Sequence, residues 1–127
     1  MKIDYKELYM SALDSSKNAY CPYSNFHVGA ALMTASGAVY TGVNVENSSY
    51  GAAICAERSA IAAAVSSGER NFIALAVASP DGDAKPCGIC RQVLFEFGGS
   101  IKVITGEDAE HLEIEDSGAL LPKGFKL

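Results

Sequence analysis

Two cysteine-bearing stretches, ICAERS at positions 54–59 and PCGIC at 86–90, each open a segment with helical patterning. Between them runs NFIALAVAS, positions 71–79, the most apolar strand-like segment of the chain. Helix, buried strand and helix in that order constrain the fold. The strand belongs in the interior of a sheet, and one edge of that sheet can bring both helix starts together. Cys55, Cys87 and Cys90 would then offer three sulfur ligands to one metal ion, and the positive ends of two helices favour their thiolate forms. Such a set suits zinc and leaves a fourth tetrahedral position open for water. By itself CGIC also reads as a redox pair, or as two thiols in an apolar helix. ICAERS is the second motif that turns the reading towards metal.

Glu57 has no packing reason to stand on the first turn of a helix that continues as AIAAAV. Beside a metal ligand it has a chemical one, because a carboxylate there can take a proton from an activated water and hand it to a leaving group. Three thiolates outweigh the charge of Zn²⁺, so a cation is wanted nearby. Arg58 stands next to Glu57 as a donor to the sulfurs, or else as a solvent-facing side chain.

The remaining pattern completes an α/β chain. Apolar residues at Tyr5, Leu8, Tyr9, Ala12 and Leu13 predict an amphipathic helix between Ile3 and Ala19. FHVGAALMT and AVYTGVNVE predict a hairpin turning at Ser36-Gly37, on whose second strand Asn44 and Glu46 share one face. Helices are expected over CAERSAIAAAVSSG and CGICRQVLFEFG, strands over SIKVITG and HLEIED, and an extended tail over SGALLPKGFKL. The loop PDGDAKP, positions 80–86, carries little information on substrate choice. These elements imply a mixed sheet covered by helices on both faces. With 127 residues and no linker or repeat, residues 1–127 are expected to form one domain.

Composition removes several classes of partner. The net charge is -5, with 10 basic against 15 acidic residues, which argues against nucleic acid as partner. The acidic run EDAEHLEIED, 107–116, reads as a solvated strand face and its turn. No run approaches the roughly 20 apolar residues of a membrane span, so a membrane is not expected as partner and the location is expected to be cytoplasmic. In that compartment the four cysteines stay reduced.

The paired spacing C-x-E…P-C-x-x-C is the signature of zinc deaminases. With YCPYSNFHVGAAL, TGVNVENSSYG, ICAERSA and PCGICRQ in order, and LLPKGF in the tail, the chain resembles the small homotetrameric cytidine deaminases. The resemblance implies a three-layer α/β/α sandwich around a five-stranded mixed sheet, with one zinc per chain on Cys55, Cys87 and Cys90. It implies that Glu57 shuttles protons and contacts pyrimidine N3, and that the Ala56 backbone N–H holds the O2 carbonyl. Asn44 and Glu46 resemble the ribose-binding pair, Phe26 the aromatic beside the base, and Tyr50 and Phe125 residues supplied by neighbouring subunits. The implied reaction is hydrolytic deamination of cytidine and 2′-deoxycytidine in pyrimidine salvage, acting on free nucleosides.

Three other readings share parts of this pattern. A related aminohydrolase for a cytosine-containing antibiotic nucleoside has similar zinc motifs. A closed structural site using Cys21 as fourth ligand leaves Glu57, Asn44 and Glu46 without a role. Editing of RNA or single-stranded DNA lacks the basic, aromatic-lined groove that guides a strand. His27 and His111 read as surface or loop-packing residues.

Overall fold

The computed structural model describes residues 2–127. Helix α1, Tyr5–Ser15, begins where the Asp4 carboxylate accepts the Glu7 backbone N–H at 3.0 Å. It is shorter than the span Ile3–Ala19 expected from periodicity. The hydroxyls of Ser15 and Ser16 donate back to the carbonyls of Ala12 and Leu13 at 2.8 and 2.6 Å, and a single 3₁₀ turn, Ser16–Asn18, follows.

Strands β1, Gly29–Thr34, and β2, Val39–Val43, form the hairpin. Helix α2, Ala56–Ser66, crosses to β3, Phe72–Ala78, and α3, Gly88–Phe95, crosses to β4, Lys102–Gly106. A last hairpin adds β5, Leu112–Asp116. Among the described residues the sheet has five strands in the order β2-β1-β3-β4-β5, with the β3–β4 pair parallel and the other neighbours antiparallel. The most apolar run therefore does occupy the centre, and α3 provides the crossover that a parallel pair requires. β5 lies at an open edge with its acidic side chains in solvent.

The two faces of β3 differ in bulk, and this sets the layers. Ala74, Ala76 and Ala78 point to one side, where Leu8, Tyr9 and Ala12 of α1 cover them. Leu75 and Val77 point to the other, where Ala60, Ile61 and Ala64 of α2 and Leu94 of α3 complete the core. The result is the expected three-layer α/β/α sandwich. Among the described residues, no helix is long and apolar enough to cross a membrane.

The structure departs from the expected elements in two places. The second hairpin strand stops at Val43 instead of Glu46, because the Asn44 side chain takes over the role of a strand partner. Its Oδ1 accepts from Val28 N–H at 3.0 Å and its Nδ2 donates to Phe26 O at 2.8 Å. Asn44 and Glu46 thus flank Val45 in a short segment bridged to Tyr20 and Ile54, beyond the strand proper. The tail is not extended but folds through successive turns. The Gly118 N–H and Ser117 hydroxyl reach Gly99 O and Gly98 O at 2.8 and 2.7 Å and draw it across the end of α3.

Helix α2 is seated by the absence of a side chain. A Cβ at Gly42 would lie 2.3 Å from Ala60 N and 2.7 Å from Ala56 O, both backbone atoms that cannot swing away. Gly42→Ala should therefore lift α2 off β2 and destabilise the fold by about 3 kcal/mol, the upper part of the usual range for overpacking. The check is urea unfolding, in which the midpoint falls with an unchanged slope, together with loss of zinc as the first turn of α2 shifts.

Candidate active site

Cys55 and Cys87 occupy the residues immediately before α2 and α3, in extended conformation, and neither helix start has a side-chain hydrogen bond closing it. Cys90 follows one turn into α3 and is 1% exposed. The Cys55 and Cys87 sulfurs are 3.6 Å apart, those of Cys87 and Cys90 3.5 Å, and all three lie within 4.8 Å of one another. Sulfurs bound at about 2.3 Å to tetrahedral zinc stand about 3.8 Å apart, so the donor set fits one zinc ion per chain. Cys21 is buried elsewhere and is not part of the group.

The electrostatics match a shared anionic centre. Cys55 is held down to about 5, first by the hydrogen bond from Cys90, then by Arg58 and Cys87. Cys90, as the partner that keeps its proton, is pushed up by the same contact and by burial. Binding of a metal replaces that shared proton. Arg58 directs Nη2 at Cys55 Sγ from 3.6 Å, while its buried Nε has no hydrogen-bond partner among the described residues.

Glu57 is 3% exposed, one residue after the start of α2. Burial, then the charge of Cys55, raises its carboxyl to about 7. Ala56, the first residue of the helix, is fully buried beside it and has one of the unpaired N–H groups of a helix start.

These groups open on a cavity of about 570 Å³. Phe26, Asn44, Glu46 and Tyr50 line it together with Ala56, Glu57 and Arg58. Glu46 Oε1 accepts the backbone N–H groups of Tyr23 and Ser24 at 2.9 and 3.1 Å. The Ser24 side chain and these N–H groups keep its carboxyl below the usual range. Phe125 does not line the cavity of its own chain; it is 67% exposed, and its carbonyl accepts from Gln92 Nε2 at 3.2 Å. His27 pairs with Asp81 and His111 with Asp108, both at the surface.

Sequence reasoning missed one wall. Asp83, Ala84 and Lys85, in the loop passed over as uninformative, face the same cavity, as does Ile89 of α3. The available signal was position: the segment runs directly into PCGIC.

Metal content separates the three-thiol centre from a closed four-thiol site. Cys87→Ser should lose most of its zinc, whereas Cys21→Ala should keep about one ion per chain. Metal analysis of the purified variants is the check, and zinc loss from Cys21→Ala would restore the closed site.

The comparisons with known proteins agree with this geometry. Residues 2–107 match the family model described as the cytidine and deoxycytidylate deaminase zinc-binding region. The chain is 54% identical over 90 residues to a probable cytidine deaminase of Dictyostelium discoideum, an alignment covering 69% of this chain and 61% of that protein. It is 44% identical over 125 residues to the cytidine deaminase of Sporosarcina psychrophila, covering 97% and 92% of the two chains. The crystal structure of cytidine deaminase from Burkholderia pseudomallei superimposes with a TM-score of 0.91 at 42% identity, covering 97% of this chain and all of that one. With a family match across most of its length and these relatives, the chain belongs to the cytidine and deoxycytidylate deaminase family.

Proposed function

We infer that the chain catalyses the hydrolytic deamination of cytidine and 2′-deoxycytidine, giving the uridine nucleosides and ammonia. The observation that carries this reading is the buried Glu57 carboxyl, set between three converging thiols and a cavity of nucleoside size. Zinc, when bound by Cys55, Cys87 and Cys90, supplies the Lewis acidity that makes water nucleophilic near neutral pH. Glu57 takes the proton from the attacking water as it adds to C4 of the base. It delivers a proton to N3, and later to the departing amine, so that one carboxylate serves each transfer. The Ala56 N–H holds the O2 carbonyl and fixes the ring against the helix start.

Sugar recognition falls to Asn44 and Glu46. Each is already braced by backbone partners, and each retains hydrogen-bonding capacity for the ribose hydroxyls. Phe26 stands beside the base. Both cations of the cavity are engaged, Arg58 by Cys55 and Lys85 by carboxylates, which disfavours a 5′-phosphate and favours the free nucleoside.

The reading extends to a homotetramer with shared sites, working in cytoplasmic pyrimidine salvage. Tyr50 borders its own chain's cavity but is 84% exposed, and Phe125 lies outside that cavity, so both side chains are free to meet a neighbouring subunit. The four free cysteines suit a reducing compartment, since oxidised ligands hold no metal.

Loss of cytidine absorbance with formation of uridine is the direct test, and a zinc-loaded chain without that activity would overturn the assignment. Glu57→Gln keeps the size of the side chain but removes the proton carrier. It should retain zinc while losing about 10²–10⁴-fold in rate; a rate within about tenfold of the parent would sink the role given to Glu57.

Subunit mixing tests the shared site. Glu57→Gln and Phe125→Ala chains, exchanged into mixed oligomers, should exceed the summed activity of the two separate preparations. Some mixed sites then join an intact Glu57 to an intact Phe125 from the other chain. An unchanged sum, with exchange verified by mass, would place Phe125 in its own chain's site.

A further inference from the structure

Residues 79–87 between β3 and α3 contain no helix or strand, yet Asp83, Ala84 and Lys85 make one wall of the cavity. A chain segment without a ladder of its own keeps a fixed shape only if side chains hold it. Side chains hold this one from its start to its end. At its start, Asp81 Oδ2 accepts the His27 backbone N–H at 2.8 Å and lies 2.9 Å from His27 Nδ1. Near its end, Lys85 Nζ meets oxygens from three separate segments. These are Asp83 Oδ2 of the loop at 3.3 Å, Thr105 Oγ1 of β4 at 3.0 Å, and Glu113 Oε2 of β5.

A single half-exposed ion pair fixes little. Here the acceptors lie in three places, and a protonated lysine has three donors with which to meet them. Thr105 is only 6% exposed, so its hydroxyl depends on protein partners and Lys85 provides one. We propose that Lys85 is a positioning residue for deamination: its ammonium, gathered by Asp83, Thr105 and Glu113, holds the 79–87 loop as a fixed wall of the nucleoside cavity. This rests on the nucleoside reading given above.

The metal side of the loop is fastened independently. Arg91 Nε donates to Pro86 O at 2.9 Å, and its Nη1 donates to Leu120 O at 3.1 Å. Cys87 therefore keeps its place when Lys85 is released. The wall at Asp83 and Ala84 does not. Release of Lys85 weakens substrate binding and spares both the metal and the proton transfers through Glu57.

Three variants test this. Lys85→Met keeps the aliphatic stem without charge, Lys85→Arg keeps charge and donors, and Glu113→Gln weakens the clamp from β5, outside the cavity. For Lys85→Met, KM for cytidine should rise about tenfold with kcat within about twofold, the pattern of lost uniform binding. Zinc content should not change. Lys85→Arg should return KM to within about threefold of the parent, and Glu113→Gln should raise it about threefold. Without substrate, amide hydrogen exchange in residues 79–87 should quicken in Lys85→Met while β3 exchanges as before. The proposal is overturned if Lys85→Met leaves KM and loop exchange unchanged, if kcat and zinc content fall as KM rises, or if arginine fails to rescue. It is equally overturned if Glu113→Gln has no effect. A parent chain inactive on cytidine would refute the functional reading instead, and the exchange measurement would still decide whether Lys85 holds the loop.

Discussion

Three sulfur atoms held within 4.8 Å at the starts of two helices concentrate negative charge, and much of the architecture answers to that arrangement. The positive ends of α2 and α3 face the three sulfurs, and Arg58 reaches that of Cys55. Cys55 and Cys87 stand where serine, threonine or aspartate would ordinarily close a helix start, and they make no such hydrogen bond. The metal ligands and the first turns of both helices are thus the same residues. Ala56 and Glu57, to which the proposed reaction gives the contacts with the base, are carried by one of those turns.

The sheet converts this local arrangement into a fixed distance between helices. Small residues on the strands let each helix lie against the backbone itself. Gly29 admits α1 and Gly42 admits α2, each with helix backbone atoms where a Cβ would stand. Because α2 is pressed onto β2 at Ala56 and Ala60, the turn bearing Cys55 and Glu57 has little freedom to rotate. Precision at the site comes from packing several residues away.

The layers were legible in the sequence because β3 and the helices carry strong periodic patterns, and the metal centre because two motifs open two helices. Asn44 was legible as a polar residue but not as a substitute for strand pairing; its amide mimics a peptide group, and periodicity cannot register that. Helix α1 stopped early because two serine hydroxyls compete for its last carbonyls, an effect that apolar spacing does not report. The loop wall was the largest omission. The partners that order Lys85 on the sheet lie 20 and 28 residues further along, so nothing in PDGDAKP itself announces them. The roles proposed for Phe26, Asn44, Glu46 and Tyr50 came from resemblance, and the geometry adds that these side chains border one space, which Phe125 of the same chain does not.

The acidic strand β5 has a consequence for how the molecule behaves among its copies. An edge strand exposes a row of unpaired peptide groups, which is a template for pairing with another chain. Along β5, Glu115 sets a carboxylate beside that row, next to a half-exposed Ile114, while Glu113 and Asp116 are met by Lys85 and Lys102. Two such edges brought together place like charges opposite one another, which blocks the pairing. The open backbone edge, a route to aggregation in an uncharged strand, is thereby kept closed to other copies.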